Sequence, residues 1–396
     1  MYILIISCTL LLLLGLLLFI IDAFILKSEE IPLIKNTKNR FCILIPARDE
    51  SNVIENLIMS IESQSININM KDVYVIVEDK NDKTIDICKK HNVNFYIRKK
   101  LNLKSKGYAL MEIIEYLYES NNIYDTYFIF DADNILDKDY FKEMLVCYEN
   151  GYDIATGYRK STNVNKNVIS TCSALTFSLI NNLLNKNKQS KNRSITISGT
   201  GYYISNKIIN KFKSFPFHLL TEDYELSIYL SLEKYITFYN TKAIFYDEQP
   251  LSFKESIKQR TRWCFGFLQV RKKYFKDILK HLNNKNVLGE FISITPYVLM
   301  LLSIILLYIY LILNITLYPI KYIKLIIILS LFIYFILILF TITLLYLDKN
   351  LNIKTSNKIK AILYNPIFIL SYIYCITKAL FSDVSWEKIE HNASKD

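Results

Sequence analysis

The sequence predicts an α/β domain, built on a mostly parallel sheet, that α-helical segments at both ends attach to a membrane. Short apolar runs alternate with segments of helical spacing over the first third of the chain, which is typical of parallel strands joined by crossover helices. Long charge-free stretches occupy the start of the chain and the region after residue 290. Acidic residues directly follow two predicted strands, at the sheet edge where such proteins bind ligands.

Residues 1–26 form the predicted N-terminal transmembrane anchor. Residues 1–21 carry no charge, and at about 1.5 Å per residue this length crosses the core of a bilayer. A cleaved secretory signal would have a basic start, a shorter apolar core and small residues at a cleavage site. The sequence of this segment has none of these, so we expect an anchor that is not removed.

Residues 38–250 form the predicted α/β domain. Short apolar runs bounded by polar or turn residues predict strands at 41–46, 73–77, 95–97 and 127–130. Helical spacing predicts helices between them at 53–66, 84–91 and 106–119. The polar groups that follow strands are therefore expected along one edge of the sheet.

Asp131 and Asp133 are the first candidate site. They lie two residues apart at a strand end, so both side chains can point the same way. Paired carboxylates suit Mg²⁺ or Mn²⁺ shared with a diphosphate, although an acidic turn after a strand is also common. Asp79 fits either a nucleotide contact or a turn, and Lys104 and Lys106 fit either phosphate binding or a solvated loop.

Thr221, Glu222 and Asp223 open a predicted helix that runs to about residue 235. Thr221 can cap this helix, and acids in a first turn match the helix dipole, which explains Glu222 structurally. Asp223 has a second interpretation as a general base. An acceptor hydroxyl is a poor nucleophile unless a positioned carboxylate removes its proton as it attacks.

Two further segments allow both a structural and a functional interpretation. The glycines of Gly199-Thr200-Gly201 permit close backbone approach to a ligand, or form a tight turn between strands. Residues 251–285 are amphipathic and basic, as expected of a helix on an anionic membrane surface. Within them, the run Gln259-Arg260-Thr261-Arg262-Trp263 offers arginine to a leaving diphosphate and tryptophan to a sugar face.

Residues 286–381 form the predicted C-terminal membrane region. The segments 291–320 and 325–347 are charge-free and long enough to span, whereas 361–377 is either a third span or an interfacial helix. Lysines follow the first span and cluster at 349–360. The positive-inside rule therefore places residues 27–290 and 348–360 in the cytoplasm.

Composition excludes several classes of protein. Seven scattered cysteines without a Cys-x-x-Cys pair argue against a disulfide framework or a zinc site, and fit a reducing compartment. The four histidines lie far apart in the sequence, without metal-ligand spacing. Next to long apolar segments, the net charge of +11 favours membrane lipids and phosphorylated substrates over nucleic acid.

Taken in order, these motifs resemble the membrane-integrated family 2 glycosyltransferases, which include synthases of cellulose, chitin, hyaluronan and poly-N-acetylglucosamine. The resemblance covers residues 40–275 and rests on Ile45–Glu50, Asp79, Lys106-Gly107, Asp131-Ala132-Asp133, Thr221–Asp223 and Gln259-x-x-Arg262-Trp263. It implies a GT-A type fold and an inverting, UDP-sugar-dependent hexosyltransferase that uses Mg²⁺ or Mn²⁺.

The resemblance also assigns roles by position. Asp223 becomes the base, and Asp131 and Asp133 become the metal ligands. Nucleotide-sugar contacts fall to Pro46, Glu50, Asp79, Lys106 and Asp131. Acceptor and diphosphate contacts fall to Gly199, Thr200, Gly201, Glu222, Gln259, Arg262 and Trp263. The chain departs from the family at 78–81, where family members usually have an acid pair followed by a turn of small residues. The C-terminal tail, residues 382–396, contains a run at 386–391 that is similar to a C-terminal tryptophan motif of some members.

Three hypotheses for function follow. The first is a processive β-glycosyltransferase that makes an exported polysaccharide, multi-pass in the cell membrane with a cytoplasmic catalytic domain. The few predicted spans would then require a partner membrane subunit, a homo-oligomer or a short product. The second is transfer of one or a few sugars to a lipid-linked acceptor, and the third is a non-catalytic membrane scaffold or transport subunit. The third does not require the acids and Trp263 in this order.

Overall fold

The computed structural model describes residues 2–23, 39–293 and 295–384. Helix α1 (Tyr2–Ala23) covers most of the predicted anchor. The end of that anchor, at 24–26, and the tail run at 386–391 lie outside the described residues.

The central domain, within residues 39–247, alternates strands and helices. The strands are β1 (Phe41–Pro46), β2 (Val73–Val77), β3 (Asn94–Ile97), β4 (Thr126–Ile129), β5 (Ile135–Leu136), β6 (Ile154–Ser161), β7 (Tyr202–Ser205) and β8 (Thr237–Asp247). The helices are α2 (Ile54–Glu62), α3 (Thr84–Lys90), α4 (Lys106–Glu119), α5 (Tyr140–Glu149), α6 (Val168–Ser178), α7 (Lys186–Ser190), α8 (Asn206–Ile209) and α9 (Glu222–Leu232). A π-helical turn, Leu179–Asn185, joins α6 to α7.

In the described part of the chain, the eight strands form one sheet in the order β3-β2-β1-β4-β7-β6-β8-β5. The strands β3, β2, β1 and β4 run parallel, as the alternation of strands and helices predicts. Beyond β4 the pairing is mixed: β7 is antiparallel to β4 and β6, and β8 is parallel to β6 but antiparallel to β5. The α/β prediction is confirmed, and its parallel order describes the first half of the sheet.

Strand β1 lies in the middle of the core. Ile43 and Ile45 pack on the α2 and α5 side of the sheet, whereas Cys42 and Leu44 pack on the α4 side. A strand that buries both faces must be apolar without alternation, which explains its sequence. Burial of each large side chain contributes roughly 1.5–3 kcal/mol, so this core fixes where the strand ends lie.

Five helices follow the central domain. They are α10 (Phe253–Lys280), α11 (Lys285–Ile292), α12 (Thr295–Leu313), α13 (Pro319–Leu347) and α14 (Thr355–Phe381). Among the described residues, α13 and α14 are the helices long and apolar enough to cross a membrane. Shorter apolar stretches lie within α1 and α12, which pack against each other.

The turn between α13 and α14 is docked on the central domain. Tyr158, on β6, donates a hydrogen bond to Asp348 at the end of α13. Asn165 accepts from the backbone N–H of Lys354 at 2.7 Å and from Asn357 Nδ2 at 2.9 Å. The loop that connects the two longest apolar helices therefore lies on the same side of them as the central domain.

Side-chain caps fix the starts of α6 and α10. Asn167 accepts hydrogen bonds from the N–H groups of Ile169 and Ser170, both at 3.0 Å, and also donates to the carbonyl oxygen of Leu251 at 2.8 Å. Ser252 Oγ accepts from the N–H of Glu255 at 3.1 Å. Since such caps satisfy otherwise unpaired N–H groups, they define where both helices begin and keep the two starts adjacent.

Candidate active site

One cavity of about 560 Å³ opens at the ends of β1, β2 and β4 and continues towards α6, α10 and α14. Its charged end is the part that acidic and basic side chains line. These residues are Arg48, Glu50, Glu78, Arg98, Lys104, Lys106, Asp131, Asp133, Arg159, Glu222, Asp223, Asp247, Glu248 and Arg262. Most of the site residues predicted from the sequence are therefore brought together here.

Lys106 connects two walls of the charged end. Its ammonium donates to Asp131 Oδ1 at 2.5 Å and to the carbonyl oxygen of Gly199 at 2.7 Å. The lysine is placed by the start of α4, where Ser105 Oγ accepts from the N–H of Tyr108 at 3.3 Å. The next residue must be Gly107, because a Cβ there would lie 2.0 Å from the carbonyl oxygen of Phe217.

Asp131 is held by its own backbone as well as by Lys106. Its N–H donates to Thr200 Oγ1 at 2.9 Å and to Asn134 Oδ1 at 3.1 Å. Removal from water raises the pKa of Asp131, but Lys106 and two neighbouring arginines outweigh that effect, and the pKa lies below its ordinary value. The carboxylate therefore stays ionised at neutral pH.

Gly199, which accepts the hydrogen bond from Lys106, lies beside Asp223. The glycine has φ +86°, a conformation that favours glycine, and a Cβ there would lie 3.4 Å from Asp223 Oδ2. Asp223 Oδ1 accepts from the N–H of Tyr224 at 2.8 Å, which fixes the carboxylate at the start of α9. Hydrogen bonds thus join Asp131, Lys106 and Gly199, and Asp223 lies beside Gly199 in the same cavity.

The two acids at the start of α9 have raised pKa values. Burial raises the pKa of Glu222 to about 8, and the charge of Asp223 adds to the effect. Burial also raises the pKa of Asp223, although the N–H of Tyr224 and the charge of Lys106 oppose it. A raised pKa makes Asp223 a stronger base than an ordinary aspartate, which is the property that general base catalysis requires.

Thr221 does not cap α9, contrary to the sequence prediction. Its side chain makes no capping hydrogen bond. It packs instead against Gly266 on α10, where a Cβ would lie 2.5 Å from Thr221 Cγ2. The close approach of α9 to α10 uses this threonine as a packing residue, and brings Asp223 and Arg262 to the same cavity.

Arg159 lies in the charged end and has no counterpart in the sequence motifs. One of its nitrogens donates to the carbonyl oxygen of Ser198 at 2.7 Å, and another donates to Asp247 at the end of β8. Its guanidinium lies 3.7 Å from the centre of the Phe177 ring. The only sequence signal was a basic pair, Arg159 and Lys160, at the end of β6, because the partners of Arg159 lie far away in the chain.

The two arginines of the α10 run have different surroundings. Gln259, Arg262 and Trp263 line the cavity, and the charges of Glu222, Asp131 and Asp223 act on Arg262. Arg260 is 1% exposed and points to α14, where it donates to the Phe368 carbonyl oxygen and to Ser371 Oγ, both at 2.8 Å. Helical spacing explains the divergence, since residues two apart lie on different faces.

Three predicted site residues lie outside the cavity lining. Asp79 is exposed and accepts a hydrogen bond from the N–H of Asn81 at 2.8 Å, so it forms the turn that the sequence also allowed. Its neighbour Glu78 lines the cavity instead. Thr200 Oγ1 accepts a hydrogen bond from the N–H of Asp131. Gly201 packs against Phe245, because a Cβ on this glycine would lie 2.2 Å from the ring.

The acidic residues fit a divalent cation shared with a diphosphate. Asp131 and Asp133 both line the cavity, and the N–H of Glu248 donates to Asp133 Oδ2 at 3.4 Å. Among the described residues, no group of three or more His, Cys, Asp or Glu side chains is arranged to hold a metal by itself. Magnesium is usually held by one or two carboxylates together with substrate phosphates, so two aspartates suffice.

The apolar end of the cavity lies between α6, α10 and α14. It is lined by Phe177, Ile180, Trp263, Phe267, Tyr372 and Ile376. Phe177 and Trp263 meet edge to face with ring centres 5.7 Å apart. Because Arg159 also lies over Phe177, this aromatic pair forms the boundary between the charged end and the apolar end.

Comparison with known proteins identifies the family. The model of the glycosyl transferase family group 2 matches residues 128–347, and that of glycosyl transferase family 2 matches residues 42–211. The chain is 24% identical over 272 residues to the probable glycosyltransferase YdaM of Bacillus subtilis. That match covers 66% of this chain and 63% of the relative, somewhat less than two thirds of its length.

Comparison with solved structures confirms the GT-A type fold. The mannosyltransferase PcManGT from Pyrobaculum calidifontis, solved in complex with GDP-Man and Mn²⁺, superimposes with a TM-score of 0.63 at 10% sequence identity. The similarity covers 96% of this chain and 99% of that one, so it extends beyond the central domain to the flanking helices.

Proposed function

This chain belongs to the glycosyl transferase family group 2, and we propose that it is an inverting transferase that moves a sugar from a nucleotide donor to an acceptor hydroxyl at a membrane surface. The observation that carries the proposal is that Lys106, hydrogen-bonded to Asp131 and Gly199, lies in one cavity with Asp223, which is beside Gly199. A proposed diphosphate-binding group and a proposed base therefore share one cavity.

The donor diphosphate is proposed to lie over Asp131, Asp133 and Lys106. The two aspartates would hold a divalent cation, which would supply positive charge against the diphosphate. Arg262 adds a second cation from α10, and its charge matters more here than in water because protein surrounds it. Pro46, Glu50 and Glu78 line the same end of the cavity and would contact the nucleoside and sugar.

Asp223 is proposed to accept the proton of the acceptor hydroxyl. The acceptor oxygen then forms its bond to the anomeric carbon while the bond from that carbon to the diphosphate breaks, and the nucleoside diphosphate leaves with the electron pair. Attack opposite the leaving group inverts the anomeric centre. Glu222 lies beside this base with its pKa raised to about 8, so at neutral pH it adds little negative charge.

Two acceptors suit a hydroxyl beside Asp223. The resemblance to polysaccharide synthases supports the end of a growing polysaccharide, stacked on Trp263 and held by Gln259. The apolar end of the cavity supports a lipid, whose hydrocarbon chain would lie there while its head group lay beside Asp223. A polymer product would additionally need a path across the membrane, from a homo-oligomer or a partner membrane subunit.

Membrane attachment is part of the proposal. Two helices, α13 and α14, have the length and hydropathy of membrane spans, and the turn between them lies against the central domain. Together with the lysines at 349–360, this supports a multi-pass protein of the cell membrane whose catalytic domain and α13–α14 turn share the cytoplasmic side.

The decisive experiment is turnover by the purified full chain in nanodiscs. Release of nucleoside diphosphate would be measured over a panel of UDP-sugars and GDP-mannose with Mg²⁺ or Mn²⁺, and the products would be sized. The panel includes both nucleotides because the resemblance implies UDP, whereas PcManGT was solved with GDP-Man. We expect turnover with one donor and a dependence on the cation. Absence of turnover and of donor binding across the panel would contradict the proposal and favour a non-catalytic scaffold.

A further inference from the structure

The cavity does not end at the base. Beyond Phe177 and Trp263 it continues between α6, α10 and α14, along Ile180, Tyr372 and Ile376. These three side chains are apolar or aromatic, and Thr176 on α6 and Cys264 on α10 also line the cavity. A sugar hydroxyl or phosphate placed among them would lose hydrogen bonds to water, whereas a hydrocarbon chain would not.

The apolar end reaches a helix of membrane length. Tyr372 and Ile376 lie one turn apart on α14, which is one of the two described helices that are long and apolar enough to cross a bilayer. Helix α14 packs on α10 and α6, so the wall of the cavity and the membrane-length helix are the same element. A molecule in the apolar end is therefore next to the place where lipid would lie.

The buried side chain of Arg260 on α10 holds α14, which forms one wall of the apolar end. Besides its two hydrogen bonds to α14, the Arg260 guanidinium lies 3.8 Å from the Phe368 ring centre and 4.8 Å from that of Tyr372. Burying a cation is costly unless hydrogen bonds and ring faces compensate, so this arrangement fixes Tyr372 relative to α10. The part of the cavity next to Tyr372 therefore has a wall whose position is fixed.

The opposite wall has an unusual backbone. The π-helical turn that begins at Leu179 places Ile180 in the cavity lining. Within the turn, Asn181 Nδ2 donates to the carbonyl oxygen of Arg159 at 2.8 Å, which ties it to the charged end. Single π-turns are rare and frequently lie at functional sites.

We propose that the acceptor is an amphiphile with a hydroxyl-bearing head group beside Asp223 and a hydrocarbon chain between α6, α10 and α14. The chain would pass the Phe177–Trp263 boundary and run along Ile180, Tyr372 and Ile376 towards the bilayer. This inference rests on the proposed transferase function and names the class of its acceptor. A free oligosaccharide would leave the apolar end unused.

The test uses n-butyl, n-octyl and n-dodecyl glucosides as acceptor probes, with glucose and cellobiose as probes that lack a chain. For the unmodified protein we expect kcat/KM to rise with chain length, by up to about fourfold for each methylene group that is buried. Ile376→Trp should fill the apolar end and remove this dependence on chain length. Ile373→Trp is the matched control, since this isoleucine lies on the same helix but is 37% exposed and does not line the cavity.

A second readout separates this inference from the proposed function. Hydrolysis of the donor without acceptor reports the chemistry alone, so transfer by Ile376→Trp is expressed relative to its own hydrolysis, and Ile373→Trp should retain both. If Ile376→Trp does not fold, Ile180→Trp fills the same space from the opposite wall. Two results would overturn the lipid acceptor: equal kcat/KM for probes with and without a chain, or an equal loss of chain-length dependence in Ile376→Trp and in the control Ile373→Trp. In either case, turnover by the unmodified protein would still support the transferase function. Absence of donor hydrolysis and transfer in the unmodified protein would instead refute the proposed function.

Discussion

The charged end and the apolar end of the cavity are stabilised by different interactions. At the charged end, oppositely charged side chains bond to one another and to backbone oxygens, as Lys106 does to Asp131 and Gly199. At the apolar end, helices pack through aromatic and aliphatic side chains, and the buried cation Arg260 bonds to α14. The charged end should therefore respond to substitution through catalysis, and the apolar end through helix packing and acceptor choice.

The largest expected effect is at the charged end. Lys106→Met removes the cation that orients Asp131 and faces the proposed diphosphate, so we expect turnover to fall by about 10²–10³-fold, the range for loss of one preorganised charge-stabilising donor. Steady-state nucleoside diphosphate release measures this. Lys104→Met is the matched control, because both lysines line the cavity but the hydrogen bonds to Asp131 and Gly199 come from Lys106. Equal losses in the two variants would show that the charged end acts only through its total charge.

An intermediate effect is expected where α10 meets α14. Arg260→Gln shortens the side chain and removes its charge, and should lower the free energy of unfolding by about 1–3 kcal/mol through lost hydrogen bonds to a charged donor. Thermal unfolding of the detergent-solubilised protein measures the change. Lys258→Gln, at an exposed position on the same helix, should change it little. If Arg260→Gln is neutral in stability and lowers donor binding instead, Arg260 belongs functionally to the charged end.

The smallest expected effect concerns pH. Because burial raises the pKa of Asp223, the base should lose activity as the pH falls through a value above that of an ordinary aspartate. The profile of log kcat/KM against pH measures this inflection. Glu222→Gln should leave the inflection in place, because Glu222 is already protonated at that pH. An inflection at the ordinary aspartate value, or one that Glu222→Gln abolishes, would argue against Asp223 as the base.

The charged end could largely be predicted from sequence, and the apolar end could not. Asp131 follows a strand and Asp223 lies at the start of a helix, and the proposed chemistry requires carboxylates. The residue type and the position in the element therefore both pointed to these two aspartates. Arg159 was missed because its partner Asp247 is 88 residues away, and no local pattern joins them. Hydropathy predicted the apolar helices, but it carries no information on which face of α14 packs against α10.

Interactions between residues far apart in the sequence also explain why some predicted site residues lie elsewhere than expected. Asp79 and Thr200 belong to the right segments, yet Asp79 bonds within its own turn and Thr200 bonds behind Asp131. A motif identifies a loop, whereas the direction of each side chain depends on hydrogen bonds to distant residues. Arg260 and Arg262 show this most simply, since one run of sequence serves both ends of the cavity.

The central claim is that Asp223 acts as the base in the cavity that holds the donor. Its most direct test is to compare donor affinity and turnover in Asp223→Asn with those of the unmodified protein in nanodiscs. The claim predicts that donor binding is nearly unchanged while transfer falls by about 10²–10⁴-fold, the usual contribution of a positioned base. An Asp223→Asn variant that binds the donor and retains full transfer would contradict it.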